Sequence, residues 1–205
     1  MQRKEEWPHW HLPSPFKKSG FSDAIIYPEW FEGNWQVFSI DVVDSKKSYI
    51  NHLARFKPDN LERIIADRVF NSESLARQVL GDEFLYVKED LNTQNRQLAV
   101  FKGDKYLESK VVSREYKINS SDTFIADEIV FQIYHSPEIT KINEVETLSE
   151  YKQCNPSESS IINDTNYWIC GEQWQAIYKE PGQNLQSNSI HTSHYQIFFI
   201  PLNLN

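Results

Sequence analysis

From Asn34 onward, apolar and polar positions alternate over most of the chain, and short polar turns interrupt the alternation. A period of two sends successive side chains to opposite faces, which is the pattern of a strand. Asn34 to Val43 is the first such run. It carries Trp35, Val37 and Ser39 on one face and Gln36, Phe38, Ile40 and Val42 on the other. Both faces are partly apolar, so periodicity does not choose the inward one. Ser48 to Phe56 reads as a second strand or an excursion, closed by the turn Pro58-Asp59-Asn60. Leu61 to Phe70 predicts a further strand, with Ile64, Ala66 and Arg68 alternating against Ile65, Asp67 and Val69. Asn71 to Gly81 departs from the alternation. A capping residue stands first, glycine stands last, and Leu75, Val79 and Leu80 share a face, so a short helix is expected.

A meander follows. Its segments are Phe84 to Glu89, Gln97 to Lys102, Tyr106 to Ile118, Thr123 to His135, Ile139 to Cys154, Tyr167 to Tyr178 and His191 to Leu202. Most connections are short and rich in Asn, Asp, Ser or Gly; Asn92 to Asn95 is one such turn, and Asn155 to Asn166 and Pro181 to Ser189 are longer polar loops. About nine or ten strands with one short helix predict an all-β, up-and-down antiparallel β-barrel. Residues 1–27 fall outside this pattern, with Pro8, Pro13, Pro15 and Gly20 among Trp7, Trp10, Phe16 and Phe21. Proline at this density argues against helix or central strand. An irregular arm is expected, packed on the outside or across an opening of the single domain formed by residues 28–205. The stretch from Pro28 to Val37 joins arm to barrel. Its Gly33 and Trp35 follow the aromatics Trp30 and Phe31, as a plug at the closed end would.

Composition narrows the function. The 205 residues fit one domain, and six Trp, ten Tyr and twelve Phe exclude a disordered chain. A formal net charge of −8 disfavours nucleic acid and anionic membrane as general partners. No apolar run approaches a membrane span, so no transmembrane segment is expected. No apolar stretch follows the N-terminal Met1-Gln2-Arg3-Lys4, so a soluble, cytoplasmic protein is expected, or one of the thylakoid lumen or plastid if a targeting segment has been trimmed. Cys154 and Cys170 are too few for a disulfide scaffold. A hairpin loop centred near Ser160 sets Glu150 opposite Cys170, leaving the two cysteines roughly 13 Å apart along the strands, so free thiols are expected.

The familiar catalytic patterns are missing. The glycines at 20, 33, 81, 103, 171 and 182 are too scattered for a phosphate-cradling loop. There is no nucleophile elbow, Cys-x-x-Cys or His-Glu-x-x-His, and His191 and His194 fall on opposite strand faces. His9 and His11 lie in the arm. No catalytic residue and no metal ligand is expected. Glu144 and Glu146 share a face, as an acid/base pair would. They equally suit a hydrated outer surface with Val145 and Thr147 turned inward. If they point inward, Arg68 or Arg96 would pair with them, since buried carboxylates need partners. Arg68 is oddly placed in its alternation for a solvated arginine. Trp168, Trp174 and Tyr178 share one strand face, Phe198 and Ile200 another. Inside a barrel such rings either wall an apolar ligand or fill the core. The candidate ligand-binding residues are therefore Trp35, Arg68, Arg96, Trp168, Trp174 and Tyr178.

Gly33-Asn34-Trp35 at the head of a meander resembles the Gly-x-Trp signature of lipocalins and related calycin barrels. A longer resemblance runs through Tyr27 to Val37, Ala66 to Asn71, Asn95-Arg96-Gln97 and Asn143 to Thr147. Over roughly residues 27 to 200, the chain resembles a poorly characterised lipocalin-like barrel family of cyanobacteria and plant plastids. That resemblance implies a photosynthetic setting and no defined reaction. Three functions are consistent with it. One is non-enzymatic binding of an apolar small molecule, such as a tetrapyrrole, carotenoid or other pigment, or a lipid. A second is chromophore handling similar to that of lipocalin-type bilin lyases, which an inward-facing acid and arginine would favour. A third is an assembly factor for a photosynthetic protein complex, with a filled interior.

Overall fold

The structure, a computed structural model, describes residues 2–12, 24–43, 49–90, 93, 95–119, 123–154, 168–179 and 187–202. In chain order the elements are α1 (Gln2–Glu6), β1 (His11–Leu12), β2 (Gly33–Asp41), β3 (Tyr49–Pro58), β4 (Ile64–Ala66), α2 (Arg68–Leu80) and β5 (Phe84–Glu89). Then come β6 (Arg96–Phe101), β7 (Lys105–Ile118), β8 (Phe124–His135), β9 (Thr140–Gln153), β10 (Ile169–Lys179), β11 (Ser187–Asn188) and β12 (His191–Pro201). Ten strands form one antiparallel, curled sheet in the order β4-β3-β2-β12-β10-β9-β8-β7-β6-β5, while β1 pairs with β11. The all-β, barrel-like fold expected from the alternation is the fold found, and the predicted strand ends agree with it to within a few residues. Phe16, Phe21 and the polar loops at 155–166 and 181–186 lie outside the described residues.

The concave face of the sheet is packed at one end. Phe31, Trp35, Phe56, Phe124 and Phe199 are buried there with Val37, Ala54, Ile169 and Ile197. Phe31 stands on the short 3-10 turn Glu29–Phe31 and meets Phe56, Phe124, Tyr151 and Phe199 with ring centroids 4.8–5.9 Å apart. Trp35 donates its indole Nε1–H to the carbonyl of Phe31 at 2.7 Å, giving the buried ring the partner it needs. Gly33, at φ +128°, adopts the left-handed backbone that turns the chain out of the plug and into β2. The Pro28–Val37 stretch thus closes this end, with Phe31 rather than Trp35 at its centre.

The strand expected over Leu61 to Phe70 stops at Ala66, and the helix begins at Arg68 rather than after Asn71. Asp67 explains the difference. Its carboxylate caps the helix by accepting from the Phe70 amide at 3.3 Å, and the same carboxylate pairs with Arg55 and Lys57. Alternation continued through Asp67 because Ile65, Asp67 and Val69 satisfy a period of two by coincidence. Gly81 ends α2, as its C-terminal position predicted.

Helix α2 lies along both edges of the curled sheet. Beside β3, Ser74 Oγ accepts from the Leu53 amide at 2.7 Å, and Asn71 Oδ1 accepts from the Arg55 amide at 2.7 Å. Asn71 also donates through Nδ2 to the Arg55 carbonyl at 3.2 Å, so its side-chain amide pairs with Arg55 as a neighbouring strand would. Beside β5, Glu73 accepts from the Val87 amide at 2.9 Å, and Ser72 accepts from Gln97 on β6 at 2.7 Å. Unpaired strand edges expose backbone donors and acceptors. Here helix side chains satisfy several of them and bridge the seam that strand pairing leaves open. The apolar face read at Leu75, Val79 and Leu80 is exposed, because α2 uses its polar residues to hold the seam.

The cysteines overturn an expectation. Cys154 and Cys170 form a disulfide, with Cα atoms 5.0 Å apart. Cys170 lies opposite Lys152, not Glu150, so the centre of the connection is residue 161, midway between 152 and 170. One residue in the loop centre moves the register by two. Cys154 therefore becomes the diagonal neighbour of Cys170 on the same, outer face, within reach of a bridge. Its amide donates to the Trp168 carbonyl at 3.0 Å.

Candidate functional site

Beyond the aromatic plug, the concave face carries an open cleft of about 210 Å³. Its floor is apolar, formed by Ile25, Tyr27, Ala126 and Tyr151. Its wall is polar and comes from four regions of the fold: Arg68 at the start of α2, Arg114 on β7, Glu128 on β8, and Thr147 and Ser149 on β9. Glu128 sits between the two arginines. It accepts from Arg114 Nε at 2.9 Å, and from Arg68 Nη1 at 3.1 Å. Arg114 Nη1 also donates to Asn95 Oδ1 at 2.9 Å. Burial by itself would raise the Glu128 carboxyl, but the charges of Arg68 and Arg114 outweigh it and hold Glu128 below the usual carboxylate range. Burial acts against the Arg68 charge, and Glu128 more than restores it. Tyr27, pushed up chiefly by burial, stays protonated.

A second buried polar cluster lies on the opposite, convex face. There the N-terminal arm covers β8, β9 and β10. Arg3 on α1 reaches Glu146 on β9 with Nε at 2.7 Å, and Tyr178 on β10 donates to the same carboxylate at 2.7 Å. Glu146 is 0% exposed, and Trp10, whose ring lies 4.9 Å from the Arg3 guanidinium, is 1% exposed. Trp10 Nε1–H donates to the Arg3 carbonyl at 2.6 Å, and Lys4 Nζ stands 4.3 Å above the Trp174 ring. Asp127 on β8 is buried beside this cluster, and burial, reinforced by the charge of Glu146, pushes its carboxyl up to about 8. Residues 2–12 of the arm are therefore packed on the outside, as expected, although they open with the short helix α1 ahead of the first proline, while Ile25 and Tyr27 at the arm's other end line the concave cleft.

The predicted site residues separate into three groups. Arg68 is in the cleft. Trp35 belongs to the plug beneath it. The other four do not reach the cleft. Arg96 is on the surface, paired with Glu108 at 2.8 Å and Asp90 at 3.3 Å. Trp168 precedes β10 and is 58% exposed. Trp174 and Tyr178 point outward, because even-numbered residues of β10 face the arm; their apolar surface is covered by Trp7, Trp10 and Leu12. Phe198 likewise faces out, beside the disulfide, while Phe199 enters the core. Glu146 lies on the outer face with Val145 buried on the other, but the arm shields it from water, and its partner is Arg3 rather than Arg68 or Arg96.

Sequence reasoning missed Glu128, Arg114 and Arg3. The first had a signal: Asp127-Glu128 interrupts the apolar run from Phe124 to Phe131, and adjacent acids in a strand must face opposite ways. Among the described residues, no group of three or more His, Cys, Asp or Glu is placed to hold a metal ion. No helix among them is long and apolar enough to cross a membrane.

Fold and cleft together define a curled antiparallel sheet, plugged by aromatics at one end, with a charged cleft on its concave face. The chain belongs to a family described as a domain of unknown function, DUF6816, whose model matches residues 19–199. No functionally curated protein and no solved structure matches it.

Proposed function

We propose that this chain is a non-enzymatic binding protein whose concave face takes a small, largely apolar molecule, a pigment, tetrapyrrole or lipid, in a photosynthetic organism. The observation that carries this reading is the cleft itself, an apolar floor against a polar wall, open on one side. Ligand sites commonly combine apolar lining with a few placed polar groups. At about 210 Å³ the cleft encloses one end of such a molecule and leaves the remainder outside. The photosynthetic setting comes from the resemblance of Tyr27 to Val37 and the three later segments. The Cys154–Cys170 disulfide favours an oxidising compartment, which among those considered is the thylakoid lumen.

Titration with a porphyrin, a carotenoid and a fatty acid tests the reading, with tryptophan emission and thermal shift as readouts. Trp35 within the plug and Trp30, stacked on Phe31 at 4.5 Å, are the reporters at that end. Saturable binding at micromolar concentration of at least one ligand is expected. Its absence throughout would leave a filled-barrel assembly factor as the better account. A second reading, chromophore handling of the bilin-lyase kind, is favoured by one observation: Glu128 faces inward between two arginines. It predicts that bilin bound by this chain passes to an acceptor protein, where plain binding predicts retention.

A further inference from the structure

The polar wall says what the ligand's head group is, provided that the binding reading above holds. Arg68 is fixed at both ends. Its backbone opens α2 next to the cap Asp67, and its Nη atoms reach Glu128 on β8 at 3.1–3.4 Å. Its Nε–H is buried, with no partner among the described residues. A buried guanidinium donor without an acceptor is an exception to the way proteins satisfy polar groups, and it points to a group that arrives from outside. Glu128 cannot fill that place, because its oxygens already serve Arg114 as well as Arg68. The described lining residues carry two guanidiniums and one carboxylate, so one more negative charge balances the wall where a dianion would overfill it. A planar carboxylate also matches the fork of an arginine, taking Nε and an Nη together. The hydroxyls of Thr147 and Ser149 line the same cleft, and the apolar floor begins immediately beside them.

We infer that the cleft takes a monocarboxylic acid with an apolar body. The carboxylate seats on the Nε edge of Arg68, and the first part of the body lies along Ile25, Tyr27, Ala126 and Tyr151. Two sources share this chemistry, a fatty acid and a tetrapyrrole carrying a single free carboxyl. Calorimetric titration at neutral pH separates them and tests the seat, using laurate against methyl laurate and pheophorbide against its methyl ester. At least one acid is expected to bind about tenfold or more tightly than its own ester. Which pair shows the preference identifies the source. Arg68→Met should abolish the preference, and Arg68→Lys should keep part of it. Equal affinity for acid and ester in the unaltered protein overturns the carboxylate and leaves the binding reading standing. Binding of neither member of either pair overturns both. A preference that survives in folded Arg68→Met moves the seat away from Arg68 and overturns the assignment. If Arg68→Met does not fold, by circular dichroism, the acid-to-ester ratio of the unaltered protein decides.

Discussion

Asp127 and Glu128 are neighbours in sequence, Asp127 buried and Glu128 partly so, yet they live in different environments because a strand sends them to opposite faces. Glu128 has two arginines and stays ionised. Asp127 has Glu146 close by and holds its proton to about pH 8. Arg3, Glu115 and Glu128 are the other charges that bear on Asp127. The native state thus keeps a proton on Asp127 that an unfolded chain loses near pH 3.8, so this group's contribution is full below that pH and is lost as pH rises to about 8. His52 acts the other way. Burial lowers it from 6.5 to about 4, so its contribution is present above 6.5 and is lost on acidification through 4. Between about pH 4 and 6.5 the two slopes oppose each other, and above 6.5 only Asp127 remains of the pair. Urea unfolding should therefore show stability falling from pH 6.5 to 8, and Asp127→Asn should flatten that fall. Glu146→Gln leaves Arg3 buried against a neutral partner, and breaking such a pair costs roughly 3–5 kcal/mol, to be read from the same curves. Trp35→Ala should cost about 3–5 kcal/mol by loss of core volume and of the bond to Phe31. A measured loss under about 1 kcal/mol would show that the plug does not depend on this ring.

The strands were legible because alternation, turn residues and length all agreed from β5 to β10 and again in β12; the two-residue β11, in the stretch read as a polar loop, was not, because its only partner is β1 in the distant arm. The seam was not. Nothing in the spacing of Asn71, Ser72, Glu73 and Ser74 announces that these side chains meet two strand edges, since such pairing is long-range. Asn71 is the most exacting of them, with both its amide atoms on the backbone of Arg55. Asn71→Ala should cost on the order of 1–3 kcal/mol, because the Arg55 amide loses its partner, while the Arg55 carbonyl keeps the Asp67 amide. It should also speed hydrogen exchange at Arg55 and raise self-association through the bared edge of β3, both measurable against Asn71→Asp, which keeps the acceptor. The register of β9 and β10 was misjudged by two residues, and that alone separated free thiols from a disulfide. Thiol titration of the unfolded, unreduced protein should now find no free thiol at Cys154 or Cys170.

For the molecule as a whole, the question that periodicity left open was which face is inside. Its answer explains why it was open. The concave face holds the aromatic plug and the cleft, while the convex face of β8 to β10 is covered by the arm, so both faces of the central strands carry apolar residues. Arg68 was found by its odd position, and the remaining cleft residues were obscured because they converge from β7, β8 and β9. Removing residues 1–12 should uncover Trp174, Tyr178 and Glu146 without touching the cleft. The expected result is a red-shifted tryptophan emission and lower stability, with affinity for any cleft ligand retained. Loss of that affinity would tie the arm to binding and not to packing alone.

The disulfide has a consequence for covalent integrity. Cys154 and Cys170 flank residues 155–169, so a protease that cuts once inside this segment leaves two fragments joined through sulfur. Nicked protein would migrate as a single species on a gel without reductant and as two with it. The paired strands β9 and β10 would keep their register through the cut, since the bridge holds the chain at the point where the hairpin would otherwise fray.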